Sequence, residues 1–130
     1  MRLNPDCIRD ILLSVEESTE VNVLFVYDRD SRGGTRLGDY AHDVIRYHIR
    51  QCKWADLITD YNEWDCGGYI KIHDLTPRGH EFLANTRSSN LWETLKESSA
   101  QAGVDSLSAL IQGAAKFAAS ALLSRITSGG

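Results

Sequence analysis

The segment from Ile70 to Leu83, IKIHDLTPRGHEFL, changes from a strand pattern to a helix pattern with no loop between the two. Apolar and polar residues alternate over its first four positions, as they do in a strand with one buried face. Thr76 is a residue type that caps helices, and Pro77 suits the first helical position, where its missing N–H is not needed. The segment therefore predicts that a strand meets a helix of about Pro77 to Thr86 at adjacent positions.

Four further patterns precede this junction. Asn4 and the apolar spacing after it predict a capped helix over Pro5–Glu17. The run Val21–Tyr27 predicts a strand, and its nearly continuous apolarity suggests that both of its faces are covered. Asp39–Ala55 has an apolar sector with cations opposite and predicts an amphipathic helix. Gly67-Gly68 supplies the positive φ of a tight hairpin turn.

A helix, a hairpin and a helix that begins straight after the hairpin occur in this order in winged-helix domains. The sequence thus predicts an α+β winged-helix-like domain over 1–88, with a two- or three-stranded sheet, and two C-terminal helices over 89–130. A helix-turn-helix needs a helix just before the recognition helix, but Asp28–Gly38 has almost no helical pattern. Either that helix is abbreviated to a turn or Asp39–Ala55 is split, and both alternatives weaken the case for ordinary major-groove docking.

Three segments together resemble an uncharacterised family of short bacterial and prophage proteins. They are LNPDCIRDIL near the N-terminus, VIRYHIRQC with the following ADLI, and DLTPRGHEFLANTR. The resemblance covers nearly the whole chain. It implies a winged-helix-like fold and frequent residence on phage genomes, and it implies no known activity.

Composition argues against several classes of protein. The chain has 14 basic and 18 acidic side chains and a formal charge of −4, which is unusual for a protein that coats itself in nucleic acid. Its three cysteines are an odd number without CxxC spacing, which favours a reducing, cytoplasmic setting. The N-terminus has no signal-peptide pattern, and no segment offers the about 20 apolar residues of a membrane span. We therefore expect a cytoplasmic protein that does not involve a membrane.

No constellation of residues predicts catalysis or metal binding. His48, Cys52, Cys66 and His73 are potential zinc ligands, but the first two point into the predicted core and Cys66 lies at the hairpin tip. Cys7 lies in the first turn of a helix, which lowers a thiol pKa, but the sequence supplies no base beside it. We expect no catalytic residues, no metal, no cofactor and no small-molecule substrate.

Cations on the helix Asp39–Ala55, the hairpin and the loop Asp28–Gly38 are the candidates for nucleic-acid binding. Cations at helical spacing can meet phosphates or a guanine edge. The alternative is a solvated helix face on which Asp43 pairs with Arg46, and a solvated loop that lacks the ending of a P-loop. The candidate residues are Arg46, Arg50, Lys53, Lys71, Arg32 and Arg36.

The hairpin and the C-terminal helices offer two further kinds of surface. Glu63, Trp64 and Asp65 are candidates for binding a protein partner. The last helix carries a stripe rich in small residues, which favours a homodimer, although it can instead pack on its own core or, with few cations, lie on a membrane surface. Asp105 is its predicted cap. The oligomerisation candidates are Leu107, Leu110, Ile111, Ala114, Ala118 and Leu122.

Two functions follow from these observations. The first is a non-enzymatic interaction protein of phage or prophage type, which binds a host, defence or toxin factor. The second is a dimeric DNA-binding transcriptional regulator. The acidic balance and the missing preceding helix favour the first, and the usual role of winged-helix domains favours the second.

Overall fold

The computed structural model describes residues 1–101, 103 and 106–128, with side chains as far as residue 123. The described chain is a mixed α+β structure with five α-helices and five short strands, which confirms the predicted class and the two C-terminal helices. The predicted cap at Asp105 lies outside the described residues. The elements in chain order are α1 (Pro5–Ser18), β1 (Phe25–Asp28), α2 (His42–Trp54), β2 (Ile58–Thr59), β3 (Asn62–Trp64), β4 (Tyr69–Ile72), β5 (Asp74–Leu75), α3 (Pro77–Asn85), α4 (Ser89–Gln101) and α5 (Leu107–Ser128).

The first helix begins where its cap predicts. The Asn4 side chain accepts hydrogen bonds from the backbone N–H groups of Asp6 and Cys7, at 3.0 and 3.4 Å. These bonds satisfy two of the donors that a helix N-terminus leaves without an intrahelical partner. The apolar face of α1 then lies in the centre of the core. Its fully buried apolar residues are Cys7, Ile8, Ile11, Leu12 and Val15.

The strand-to-helix junction is also confirmed. The Thr76 hydroxyl accepts a hydrogen bond from the Gly79 N–H at 3.0 Å, and Pro77 is the first residue of α3. Leu75 ends β5 and is buried. The Thr76 N–H also donates to the Leu57 carbonyl at 3.1 Å, so the junction is tied to the segment that follows α2. Because Gly79 has no side chain, its backbone can pass directly beside that same carbonyl.

The sheets place the hairpin beside α2. β4 pairs antiparallel with β1 on one side and with β3 on the other, and β2 pairs with β5 in a separate two-stranded sheet. The hairpin (β3, the turn 65–68 and β4) buries Ile70 and Ile72 completely. Before α2, where a helix-turn-helix would have its preceding helix, the chain forms a short 3-10 turn at Arg29–Ser31 and further turns. The helix α2 itself is not split. The winged-helix assignment itself stays a prediction.

The C-terminal helices pack on the same hydrophobic core as the rest of the chain. The Trp92 ring of α4 meets Phe82 of α3 edge to face, with 6.2 Å between the ring centroids. Leu107, Leu110 and Ala114 of α5 belong to the same buried cluster as α1 and α3. The core therefore continues across residue 88, where the sequence predicts the boundary between the domain and its extension.

Two local predictions are correct only in part. The strand predicted over Val21–Tyr27 begins only at Phe25, because Glu20 and Val23 form a tight turn with mutual backbone hydrogen bonds of 3.1 Å. Its two faces are not both covered either, since Val26 is 49% exposed on an edge strand. In the hairpin turn Gly67 has a positive φ of 86°, but Gly68 has a φ of −67°. The other positive φ angles of this turn belong to Asp65 and Cys66, at 50° and 52°.

Among the described residues, no helix combines the length and the apolarity that crossing a bilayer requires.

We expect Gly79→Ala to destabilise the chain by about 1–3 kcal/mol, the range for overpacking a close contact. An added Cβ would overlap the Leu57 carbonyl oxygen, so backbone would have to move. The matched control is Gly33→Ala, whose Cβ would meet nothing within 4 Å. Urea unfolding of both variants measures the effect, and equal midpoints would contradict the close approach.

Candidate functional site

The three-stranded sheet has two faces of different chemistry, because side chains alternate along its strands. Glu63 lies opposite Ile70 and faces inward, towards α2. Trp64 and its partner Tyr69 face outward, as does Lys71, which lies opposite both Val26 and Asn62. We call these the inner face and the outer face. Glu63 and Trp64, which are consecutive residues of β3, thus lie on opposite faces of the sheet.

On the inner face, two arginines of α2 converge on one carboxylate. The Arg46 guanidinium donates from Nε and Nη2 to the two oxygens of Glu63, at 3.2 and 3.1 Å. The Arg50 Nη2 donates to Glu63 Oε2 at 3.2 Å. The Tyr61 hydroxyl donates to the other oxygen, Oε1. We call these four residues the Glu63 cluster.

The Glu63 cluster is charged and partly covered. The Glu63 side chain is 17% exposed, whereas those of Arg46 and Arg50 are 31% and 42% exposed. Hydrogen bonds, first from Arg46 and then from Tyr61 and Arg50, lower the pKa of Glu63 to about 2 although partial burial raises it. Gly67 lets the turn close over this cluster, since a Cβ there would overlap Arg46 Nε. The ion pairs of Glu63 with Arg46 and Arg50 therefore hold the hairpin against α2.

On the outer face, apolar side chains stand in solvent. Trp64 is 46% exposed, Tyr69 is 42% exposed and Val26 is 49% exposed. Together with Lys71 they line an open recess of about 190 Å³. The Lys71 ammonium lies 4.7 Å from the centroid of a Trp64 ring and forms no ion pair within the described residues. We call these four residues the outer-face patch.

The other predicted nucleic-acid candidates lie apart from the Glu63 cluster. Arg32 donates to the backbone carbonyls of Tyr40 and Arg29, at 3.3 and 2.6 Å, and so holds the loop before α2 together. Arg36 pairs with Glu17 of α1 through both Nε and Nη2. Lys53 is exposed in the last turn of α2. Of the six predicted cations, Arg46 and Arg50 share one ion-pair partner in the part of the chain that the structure describes.

Several predicted contacts differ in the structure. Arg46 pairs with Glu63 across the hairpin and not with Asp43 along the helix, because the inward carboxylate of β3 lies within reach. Glu63 is therefore engaged inside the chain and is not displayed to a partner as predicted. Asp65 is exposed at the turn, where its carboxylate lies 3.5 Å from the guanidinium of Arg29. Only Trp64, of the three predicted partner-binding residues, belongs to the outer-face patch.

The predicted oligomerisation stripe is largely occupied by the chain itself. Leu107, Leu110 and Ala114 are 5%, 1% and 1% exposed, because α5 packs them against α3 and α4. These three residues cannot form an intermolecular seam in this arrangement. Ile111 and Ala118 are half-buried, and Leu122 is 60% exposed.

Of the potential zinc ligands, His48 and Cys52 lie in the core, as predicted. His48 is fully buried, accepts from the Asn4 N–H at Nε2 (2.8 Å) and donates from Nδ1 to the Val44 carbonyl (2.7 Å). Burial lowers the pKa of His48, which favours the neutral ring. Burial also raises the pKa of Cys52 and raises that of Cys7 to about 12, so neither thiol is readily ionised. The described residues contain no cluster of three or more potential metal ligands.

Tyr61, Tyr69 and Val26 belong to these surfaces but are not among the residues predicted from the sequence. The outward orientation of the Tyr69 side chain follows from the alternation along β4, because Tyr69 lies one residue before Ile70, which faces inward. The exposure of Val26 depends on the absence of any element over the outer face among the described residues, which no local pattern reports. The contact of Tyr61 with Glu63 depends on how the chain enters β3, for which the sequence carries no signal.

We expect Glu63→Gln to destabilise the chain by about 1–3 kcal/mol near neutral pH, as removing charge-assisted hydrogen bonds does. Because the pKa of Glu63 falls from 4.5 to about 2 on folding, the stabilisation is fully present above pH 4.5 and disappears as the pH falls towards 2. The difference in unfolding free energy between wild type and variant should therefore shrink below pH 4.5. Urea titrations across this interval measure it, and a difference independent of pH would contradict the role of the carboxylate.

Comparison with known proteins places the chain in a family. No curated protein and no solved structure matches it. A family model described as a hypothetical protein, DUF2513, matches residues 2–105, which include both faces of the sheet and end before α5. The chain therefore belongs to the DUF2513 family of hypothetical proteins.

Proposed function

We propose that this chain is a non-enzymatic interaction protein, and that it binds a protein partner through the outer-face patch. The exposure of Trp64 and Tyr69 side by side, on a sheet face that none of the described elements covers, carries this proposal. Aromatic side chains are enriched at protein interfaces, where they bury a large area at a small cost in side-chain entropy. A cytoplasmic host, defence or toxin factor is the class of partner that the resemblance to phage and prophage proteins suggests.

The chemistry of the patch defines what the partner must present. The recess between Val26, Trp64 and Tyr69 has room for one large apolar side chain. Lys71 lies at the same recess and forms no ion pair within the described part of the chain, so a carboxylate beside that side chain would complement its charge. We therefore propose a partner segment in which a large apolar residue lies next to Asp or Glu.

The alternative is a dimeric DNA-binding regulator of winged-helix type. Arg46 and Arg50 lie one helical turn apart on α2, which is the spacing that favours this function. Both guanidiniums are engaged by Glu63, and the loop cations Arg32 and Arg36 are engaged elsewhere. The geometry therefore supports the protein partner better than DNA for the chain in this conformation.

A homodimer belongs to both proposals. With Leu107, Leu110 and Ala114 buried in the chain, Leu122 is the predicted oligomerisation residue that remains exposed, at 60%. We expect light scattering at micromolar concentration to give a dimer, and Leu122→Lys to give a folded monomer because it places a charge on that surface. A wild-type monomer, or a dimer unaffected by the substitution, would contradict this assembly.

The partner proposal is tested by selecting peptides from a random display library on the purified chain. We expect enriched peptides to combine a large apolar residue with a neighbouring Asp or Glu. Trp64→Ala should weaken a selected peptide at least about tenfold, as truncation of an interface hot spot does. The matched control is Trp54→Ala, because Trp54 is 73% exposed at the end of α2, outside the patch.

The charge of the peptide supplies a second criterion. Lys71→Glu should weaken the selected acidic peptides and should not weaken their Asn or Gln analogues. Equal effects of Trp54→Ala and Trp64→Ala, or binding that is independent of Trp64, would contradict the proposal. Saturable binding of the wild type to DNA from its own gene region, with no enriched peptide, would favour the regulator.

A further inference from the structure

The Glu63 cluster has the form of an occupied anion site. Two guanidiniums, from consecutive turns of α2, direct three N–H groups at the two oxygens of one carboxylate over 3.1–3.2 Å. Forked guanidiniums bind carboxylate and phosphate oxygens with the same geometry. The anion at this site is supplied by β3 of the same chain.

The exposure of the cluster is uneven. The carboxylate of Glu63 is mostly covered by the hairpin and by Tyr61, whereas the side chains of Arg46 and Arg50 are 31% and 42% exposed. An anion in solvent can therefore approach the arginines along α2 without crossing the hydrophobic core. Lys53 lies three residues after Arg50 and is exposed, so the line of cations extends beyond a single anion.

We propose that Arg46 and Arg50 form a phosphate-binding site on α2, which the carboxylate of Glu63 fills in the chain alone. A phosphate group binds there by displacing Glu63 from the two guanidiniums. The extension towards Lys53 favours the phosphates of a nucleic-acid backbone over a single free phosphate. Glu63 thus acts as an internal competitor that keeps the affinity of α2 for phosphate low.

Protonation does not release this competitor near neutrality. The hydrogen bonds from Arg46, Tyr61 and Arg50 hold the pKa of Glu63 at about 2. Displacement must therefore come from competition by another anion or from a movement of the hairpin. This inference is independent of the partner proposed for the outer face, which concerns the opposite side of the sheet.

The test compares Glu63→Gln with Asp65→Asn in binding to a short DNA duplex at about 50 mM salt, where electrostatic binding is strongest. Both substitutions remove one negative charge from the hairpin, but Asp65 contacts Arg29 and not the two arginines of α2. Asn also tolerates the positive φ of position 65. We expect Glu63→Gln to bind at least about tenfold more tightly than wild type, and Asp65→Asn to stay within about twofold of it.

The origin of the tighter binding is tested in the Glu63→Gln background. Changing Arg46 and Arg50 to Ala as well should restore the wild-type affinity and lower the salt slope by about two, one for each phosphate that is no longer neutralised. An increase in affinity in Glu63→Gln no larger than that in Asp65→Asn would overturn the proposal. So would an increase that persists without the two arginines, because it would then reflect net charge alone.

Two further measurements cover the remaining outcomes. Inorganic phosphate competes with the duplex in one arm, and full displacement at millimolar phosphate assigns the site to free phosphate rather than to nucleic acid. If circular dichroism shows that Glu63→Gln is unfolded, Tyr61→Phe replaces it, since it removes one hydrogen bond to the carboxylate and keeps the charge. Tyr61→Phe should bind the duplex more tightly than Tyr47→Phe, and equal affinities would overturn the proposal.

Discussion

The alternation of side chains in the hairpin is the constraint on which both candidate surfaces depend. Burial of Ile70 and Ile72 sets which face of β4 is inward, and the pairing with β3 then turns Glu63 towards α2 and Trp64 towards solvent. A shift of register by one residue would exchange the two faces. It would place the carboxylate outside and leave Arg46 without its partner. The core residues of β4 therefore determine the chemistry of surfaces to which they do not contribute.

The facing of these two residues can be deduced from the sequence. A two-residue turn at Gly67-Gly68 would pair Glu63 with Ile72, and the observed turn pairs it with Ile70. Both partners are inward, so either turn length puts Glu63 on the buried side and Trp64 outside. The contact with α2 cannot be predicted, because it joins residues 13 and 17 positions apart. That contact depends on how the helix packs over the sheet.

Several other predictions are likewise correct where the contacts are local in sequence and wrong where they are long-range. The cap at Asn4 and the junction at Thr76 are predicted correctly because their donors and acceptors lie within three residues of one another. The coverage of the strand around Val26 is predicted wrongly because it depends on elements far away in the chain. The spacing of apolar residues predicts the stripe on α5, but it does not predict which surface the stripe packs against. In the structure Leu110 of this stripe packs within its own chain.

The net charge of −4 describes the outer face and the arginines of α2 poorly, because several cations of the chain are paired with its own carboxylates. Arg36 pairs with Glu17, and the two arginines of α2 share Glu63. Lys71 differs from these cations, since its ammonium lies over the Trp64 ring rather than beside a carboxylate. A cation held over an aromatic ring keeps its full charge available to a ligand that arrives from solvent. The proposed recognition at the outer face therefore rests on this one charge and its apolar neighbours, and not on the acidic total of the chain.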